Sequence, residues 1–221
     1  MLSREPLYSV TGIRWRRRAL TLNIPQLDIY SGLTVISGEN GAGKSTLMEC
    51  LTLQRKRKFA GAKWNSHPVV GLSNRRDFFA NLGYVPQALV VPSNWTVQQY
   101  LQFAGVARGH SRHELKELVE NAVGALRIEA VLPRRIGSLS GGWKRRVLIA
   151  QGLIGEPELL LLDEPLSGLD KAAIAGFVEL LDSRKNQERA IVAVDHSGTL
   201  RSIMTNEVIL REGVVDDSPD S

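Results

Sequence analysis

A glycine-rich octapeptide at residues 38–45 limits the folds open to this chain more than any other segment. Its sequence, GENGAGKS, matches G-x-x-x-x-G-K-[ST] at every fixed position. The glycines allow the backbone to curl so that successive N–H groups face an anion, and a following helix adds the positive end of its dipole. An apolar run at 33–37 precedes the octapeptide, and a helical pattern at 46–51 follows it. A strand, an anion-binding loop and a helix in this order predict an α/β fold that holds the phosphates of a nucleotide.

A second motif supplies the acidic residues that nucleotide hydrolysis requires. A run of leucines at 159–162 precedes Asp163 and Glu164, and α/β sheets bind their ligands at the carboxyl ends of such buried strands. We expect Asp163 to hold Mg²⁺ through water and Glu164 to orient and deprotonate the attacking water. From the loop, Lys44 would reach the β- and γ-phosphates and Ser45 would ligate the ion. Alone, the acidic pair could be a solvated strand end; together, the two motifs predict an NTPase.

The hydrophobic pattern along the whole chain predicts one α/β domain over residues 1–221. Short β-like runs fill the N-terminal part, and a period near 3.6 takes over from about 96 to 128. The strand and helix patterns that then alternate lie at 159–162, 171–184, 190–194 and 208–215. This alternation predicts a parallel sheet covered by helices. We therefore expect a β-rich N-terminal subdomain, turn-rich structure at 59–85, a helical subdomain inserted at about 92–140, and a disordered tail at 216–221.

Further motifs follow the octapeptide in a fixed order. They are YVPQ at 84–87, LSGGW at 139–143, SGLD at 167–170 and His196. In this order they resemble the Q-loop, signature, D-loop and H-loop of the ATP-binding cassette (ABC) family, and the resemblance spans nearly the whole chain. It implies the ABC type of P-loop NTPase fold, with ATP and Mg²⁺ as ligands and ATP hydrolysis as the activity.

The resemblance also implies a role for each matching residue. Gln87 would touch Mg²⁺ or the lytic water and relay the nucleotide state, and His196 would donate to the γ-phosphate and steady Glu164. Trp15 would stack on adenine, with Tyr8 as the alternative aromatic residue. The metal ion would be held by Ser45, Gln87 and Asp163. The residues that contact nucleotide would be Gly38, Glu39, Asn40, Gly41, Ala42, Gly43, Lys44, Ser45, Thr46 and Trp15, together with Ser140, Gly141 and Gly142.

The signature residues imply partners as well. In the family arrangement Ser140 and Gly142 contact ATP on a second copy, so the resemblance implies a homodimer or a heterodimer with a second ABC ATPase. The dimer would drive an integral-membrane permease subunit, which would hold the chain in the cytoplasm, peripheral on the inner face of the membrane. The segments 95–101 and 211–213 are similar to ATPases of the ABC-2 exporter-like branch. Asp170 would organise the dimer interface, and it would equally suit the N-cap of the next helix.

Two residues depart from the family pattern. Trp143 stands where the signature usually has glutamine, and Leu166 stands where a small polar residue is more common. We expect the packing at the dimer interface to differ, with the hydrolytic residues complete.

Charge and composition leave two other functions open. The net charge is +5, with basic clusters at 14–18, 55–58 and 144–146. Such clusters can bind nucleic acid or the anionic headgroups of a membrane, or can simply form solvated surface. One alternative is therefore a non-transport ABC ATPase that acts on nucleic acid or the ribosome. We disfavour nucleic acid as a partner because the sequence lacks long heptad arms and a second cassette. The other alternative is a low-turnover, nucleotide-gated regulatory subunit, against which Glu164 and His196 argue.

The remaining composition describes an ordinary globular chain. A single cysteine, Cys50, excludes an internal disulfide and lies in an apolar stretch that is typical of a packed thiol. The apolar runs are shorter than a bilayer-spanning helix, and the N-terminus lacks the apolar core of a secretory signal. Contact with a membrane is therefore expected only through a partner.

Overall fold

The computed structural model describes residues 5–17, 20–53, 59–88, 93–185 and 187–216. Its strands are β1 (Tyr8–Arg17), β2 (Leu20–Ile29), β3 (Gly32–Ser37), β4 (Gly61–Trp64), β5 (His67–Pro68), β6 (Leu82–Val85), β7 (Leu159–Asp163), β8 (Ala190–Val194), β9 (Asn206–Arg211) and β10 (Val214–Asp216). Its α-helices are α1 (Lys44–Leu51), α2 (Gly71–Ala80), α3 (Val97–Ala107), α4 (Arg112–Leu126), α5 (Gly141–Leu153) and α6 (Lys171–Lys185), and short 3-10 helices lie at Glu129–Val131, Ile136–Ser138 and Thr199–Ser202.

A mostly parallel sheet forms the centre of the molecule. Among the described residues its strand order is β10-β9-β3-β8-β7-β6, and only β10 runs antiparallel to its neighbour. Because both faces of the sheet are covered, its central strands are almost wholly apolar. Along β7, Leu159 and Leu161 pack into one hydrophobic core, whereas Leu160 and Leu162 pack into the other. The carboxyl ends of β3, β6, β7 and β8 therefore meet at one edge of the sheet, where the sequence motifs follow.

An antiparallel sheet covers one face of the parallel sheet. Its order is β2-β1-β4-β5, and beneath it the rings of Tyr8 and Trp64 pack around Phe78, with centroids 5.2 and 5.8 Å away. The Tyr8 hydroxyl donates to the carbonyl of Leu51, at the end of α1, over 2.7 Å. The helix that follows the glycine-rich loop is thereby fixed to the N-terminal sheet.

A helical layer covers the other face. Both α3 and α4 lie between β6 and α5 in the sequence, and both pack against α5. Each begins with a capping box, formed by Thr96 with Gln99 and by Ser111 with Glu114. The two boxes define where each of these helices starts.

Two segments differ from the expectation drawn from the sequence. The turn-rich stretch contains a β4–β5 hairpin and a ten-residue helix, α2, whose N-cap is Val70 and whose start has no side-chain capping bond. Asp216 was expected in a disordered tail, but it ends β10 opposite Ile209 and accepts an ion-paired bond from Arg211 over 2.9 Å. The rest of the tail and the basic cluster at 55–58 lie outside the described residues.

Two simpler expectations concern burial. The Cys50 side chain is 1% exposed, which confirms that this thiol is packed. Over the described ranges, every helix is too short or too polar to cross a bilayer.

Candidate functional site

The octapeptide forms a tight loop between β3 and α1. Gly38, Gly41 and Gly43 have φ angles of 141°, 87° and 102°, in the left-handed region that glycine adopts without a steric penalty. A Cβ atom on Gly38 would lie 2.2 Å from the carbonyl oxygen of Leu210. Only glycine can therefore adopt this backbone conformation at position 38.

Lys44 lies inside the loop. Its side chain turns back, and its Nζ donates to the carbonyl oxygens of Gly38 and Glu39, each over 2.7 Å. Burial lowers the pKa of Lys44, and the nearby carboxylates of Glu164 and Asp163 act in the opposite direction. A cation held in this way is poised to exchange backbone carbonyls for the oxygens of a phosphate.

Ser45 and Asp163 meet although they are far apart in the sequence. The Ser45 hydroxyl donates to Asp163 Oδ1 over 3.2 Å. Asp163 is 2% exposed, and burial raises its pKa, while the bond from Ser45 lowers it. A hydroxyl and a buried carboxylate at one point are the hard oxygen ligands that Mg²⁺ prefers in combination with phosphates. The residues present therefore fit the metal ion that the sequence implies.

Glu164 and His196 also come together. His196 Nε2 lies 3.1 Å from Glu164 Oε1, at the adjacent carboxyl ends of β8 and β7. Glu164 has φ 51°, a left-handed conformation that costs free energy in a residue other than glycine. Asp195 fixes the turn around His196, because its carboxylate accepts the backbone N–H groups of Ser197 and Leu200 over 2.9 and 2.8 Å. The expectation that His196 steadies Glu164 agrees with this geometry.

Gln87 lies just beyond the end of β6, the neighbour of β7, with an exposed side chain. Its carbonyl oxygen accepts a bond from Arg145, a residue that the sequence reasoning missed. Arg145 is 6% exposed although it is charged. It lies on α5 three and four residues before the buried Leu148 and Ile149. A charged residue at a core position of a helix is the signal that could have identified it.

The signature residues lie apart from the loop within this chain. Ser140 holds the N-cap position of α5, but its side chain makes no capping hydrogen bond. Ser140 and Gly141 are exposed, and Gly142 is half-buried. At this exposed helix N-terminus, the first-turn N–H groups are accessible to an anion that is bound by another molecule.

The start of α5 also contacts the D-loop. A Cβ atom on Gly142 would lie 3.0 Å from the carbonyl oxygen of Gly168. Arg146 pairs with Asp170 over 2.8 Å, and its guanidinium lies 5.0 Å from the centre of the Trp143 ring. Asp170 Oδ1 accepts the N–H of Ala173 over 2.8 Å, which confirms its N-cap role on α6.

A cavity of about 1120 Å³ opens beside the loop. It is lined by residues 37–42 of the loop and by the β9–β10 hairpin, including Arg211 and Val214. Trp15 does not line this cavity; it is 8% exposed and borders a smaller one of about 300 Å³ in the β1–β2 hairpin. Tyr8 has no exposed surface, so the alternative of Tyr8 as the stacking residue is wrong.

Sequence comparisons agree with these motifs. A family model described as "ABC transporter" matches residues 22–167. The "ATP-binding cassette sub-family A member 17" of Rattus norvegicus is 30% identical over 185 residues, which cover 82% of this chain and 10% of that protein. The "High-affinity zinc uptake system ATP-binding protein ZnuC" of Bacillus subtilis is 34% identical over 181 residues, which cover 77% of this chain and 75% of that protein. The chain thus spans a small part of the first relative and most of the second.

A solved structure shares the fold. It is described as the dimeric post-hydrolysis state of an ATP-binding cassette bound to ADP and Pi. The likeness has a TM-score of 0.82, with 18% identity, and covers 96% of this chain and 98% of that chain.

Proposed function

Because this chain belongs to the ABC transporter family, we propose that it binds MgATP, hydrolyses it as half of a dimer and drives a separate membrane subunit. The observation that carries the proposal is that four motifs meet at one edge of the sheet, namely the glycine-rich loop, the Gln87 segment after β6, the Asp163–Glu164 pair and His196. There Ser45 contacts Asp163, and Glu164 contacts His196. The glycine-rich loop borders the same edge because β3 lies next to β8 and one strand from β7.

Each group at this edge suits one part of phosphoryl transfer to water. The loop amides and Lys44 would bind the β- and γ-phosphates, and Ser45, Asp163 and Gln87 would hold Mg²⁺, which neutralises charge that develops on the phosphates. Glu164 would orient the attacking water and accept its proton, and His196 would donate to the γ-phosphate. Trp15 would stack on the base at the smaller cavity that it borders in the β1–β2 hairpin, outside the cavity beside the loop.

Dimerisation is supported by the exposed start of α5. Ser140 and Gly141 place the first-turn N–H groups of α5 at an exposed helix N-terminus, while the loop of the same chain has its own cavity, whose lining does not include the signature residues. A second copy could supply its ATP to these amides, and the structurally similar cassette is described as dimeric with ADP and Pi. A homodimer is therefore the proposed assembly, with a related ATPase as the alternative second chain.

A membrane partner is supported by the helical layer and by the relatives. A groove of about 910 Å³ between α3 and α4 carries Phe103 and Val106, which are 55% and 51% exposed. Exposed apolar side chains along a groove suit an apolar helix of a partner. The relatives include a component of a zinc uptake system. We propose that residues 93–140, a subdomain within the single domain, couple the nucleotide site to the membrane subunit. Through this contact the chain would lie at the cytoplasmic face of the membrane. Within the family, we propose that it belongs to the ABC-2 exporter-like branch.

The test is the steady-state ATPase rate per chain, measured against protein concentration. The rate should rise with concentration, and Glu164→Gln should lower it by at least about 100-fold, since general-base catalysis contributes on that order. Glu158→Gln is the matched control, because Glu158 precedes the opposite end of the same strand and bonds only weakly to Asn65, over 3.4 Å. An ATPase rate per chain that is independent of protein concentration and unchanged in Glu164→Gln would rule out the proposal.

A further inference from the structure

A single buried side chain joins three of the motifs. Within the described residues, the Arg145 guanidinium donates to backbone carbonyl oxygens of Pro86 and Gln87 on one side and of Asp163, Glu164 and Pro165 on the other. Arg145 itself belongs to α5, which begins at the signature. The Q-loop, the acidic end of β7 and the signature helix therefore meet at one residue.

These hydrogen bonds use all five N–H groups of the Arg145 guanidinium. Nε donates to Pro165 over 3.1 Å, Nη1 to Pro86 and Gln87 over 2.8 and 3.2 Å, and Nη2 to Asp163 and Glu164. A guanidinium has five N–H groups in a rigid plane, so each can find one carbonyl here. A lysine ammonium concentrates three N–H groups at one point and could not reach both loops.

The charge of Arg145 is costly to bury, which argues that its position matters. Burial lowers its pKa, while the carboxylates of Asp163 and Glu164 raise it. An apolar residue would fill this core position without that cost. The carbonyl that Arg145 holds on Glu164 also belongs to the residue with φ 51°, so the bond supports a strained backbone next to the acidic carboxylate.

We infer that Arg145 is a positioning residue that makes the signature helix, the Gln87 loop and the Asp163–Glu164 turn move as one body. The inference rests on the proposed function and adds to it a route between the two sites of a dimer. ATP from a second copy that binds at the start of α5 would shift Arg145. That shift would move the carbonyls of Gln87 and Glu164, and with them the residues that orient metal and water in this chain.

The chain offers a matched control in Arg108. Its guanidinium also donates to backbone carbonyls at the far end of α5, those of Gln151 and Gly152, and to that of Ile154, which follows the helix. Burial lowers its pKa to about 10. Arg108→Lys therefore removes a guanidinium that bonds the carbonyls of the same helix, α5, and leaves the Gln87 loop and the Asp163–Glu164 turn unchanged.

The experiment compares Arg145→Lys, Arg145→Gln and Arg108→Lys for ATPase kinetics and for amide hydrogen exchange without nucleotide. Both Arg145 variants should lower kcat by about tenfold or more with KM for ATP changed less than about threefold, because a small misplacement of catalytic groups has effects of that size. Exchange should rise together at the amides of 87 and 88 and at those of 163, 164, 166 and 167, since Pro86 and Pro165 have no N–H. Arg108→Lys should keep kcat and raise exchange only near 151–155.

The outcomes separate this inference from the proposed function. Unchanged kcat and unchanged exchange in folded Arg145 variants would overturn the inference, as would an equal loss of kcat in Arg108→Lys. Arg145→Gln carries no buried charge, so it keeps the comparison open if the lysine variant fails to fold. If the native chain hydrolyses no ATP, the proposed function fails, and the exchange pattern alone still decides whether Arg145 joins the two loops.

Discussion

At the scale of single residues, the site holds two groups whose charges are unfavourable without a ligand. Burial raises the pKa of Asp163 and lowers the pKa of Lys44. Each shift disfavours the ionised form that phosphoryl transfer needs. A divalent cation at Asp163 and phosphate oxygens at Lys44 would relieve both, so these shifts favour the proposed binding of MgATP at a cost to the stability of the nucleotide-free chain.

This electrostatic cost predicts that Asp163→Asn stabilises the nucleotide-free chain. Since folding raises the pKa of Asp163, its contribution to stability is most favourable below the unfolded-state pKa and is lost as pH rises through the folded-state pKa. At neutral pH the variant should therefore gain on the order of 1 kcal/mol, the usual scale for relieving a functional site. The gain should vanish in acid, where the native Asp163 is protonated.

Thermal unfolding at neutral and acidic pH in the presence of a chelator measures this difference. The exposed Glu117 offers a control, because Glu117→Gln should change little at either pH. Adding MgATP should reverse the order, since the native chain alone would gain the full stabilisation from the ligand. A destabilised Asp163→Asn chain without nucleotide would contradict the electrostatic account.

At the scale of elements, α5 connects the parts of the site. Its first turn carries the signature, Arg145 lies in its second turn, and Arg108, which follows α3, donates to its last carbonyls. Trp143 adds a contact of its own, because its half-buried ring packs on the helical core and under the Arg146 guanidinium, 5.0 Å from the ring centre. Arg146 in turn pairs with Asp170. Trp143, one of the two residues that depart from the family pattern, thus supports the link between α5 and the D-loop.

Trp143→Gln, which introduces the residue common in the family, should therefore destabilise this chain. The loss should be roughly 1–2 kcal/mol, the sum of a cation–π contact and partly buried aromatic surface. MgATP binding to the single chain should be unchanged, since the ring does not line the cavity beside the loop. Chemical denaturation and a binding titration measure the two effects, and an equally stable variant would show that the ring adds nothing to the fold.

At the scale of the whole molecule, the sheet lies between two hydrophobic cores and brings distant motifs to one edge. The sequence predicted this much because the signals are local. The glycine spacing at 38–45 defines the loop, and the apolar run before Asp163 defines a buried strand. Parallel pairing of β7 and β8, next to β3, then brings Asp163 to Ser45 and Glu164 to His196.

What the sequence could not predict depends on contacts between distant segments. Arg145 meets carbonyl groups about 20 and 60 residues away, and backbone carbonyls leave no mark in side-chain patterns. The helix α2 was missed because it has no side-chain cap and buries only Phe78. Asp216 joins β10 through pairing with β9, which outweighs the polar composition of the segment.

Mixing two inactive variants tests whether two copies of the chain build each hydrolytic site. Lys44→Ala should remove phosphate binding in its own loop, and Ser140→Arg should block the ATP that a second copy presents to α5. Each variant alone should be inactive, whereas an equal mixture should recover up to about a quarter of the native rate. Half of the dimers would be mixed, and each mixed dimer would keep one intact site of two. No recovery in the mixture, with an active native chain at the same concentration, would contradict the shared site.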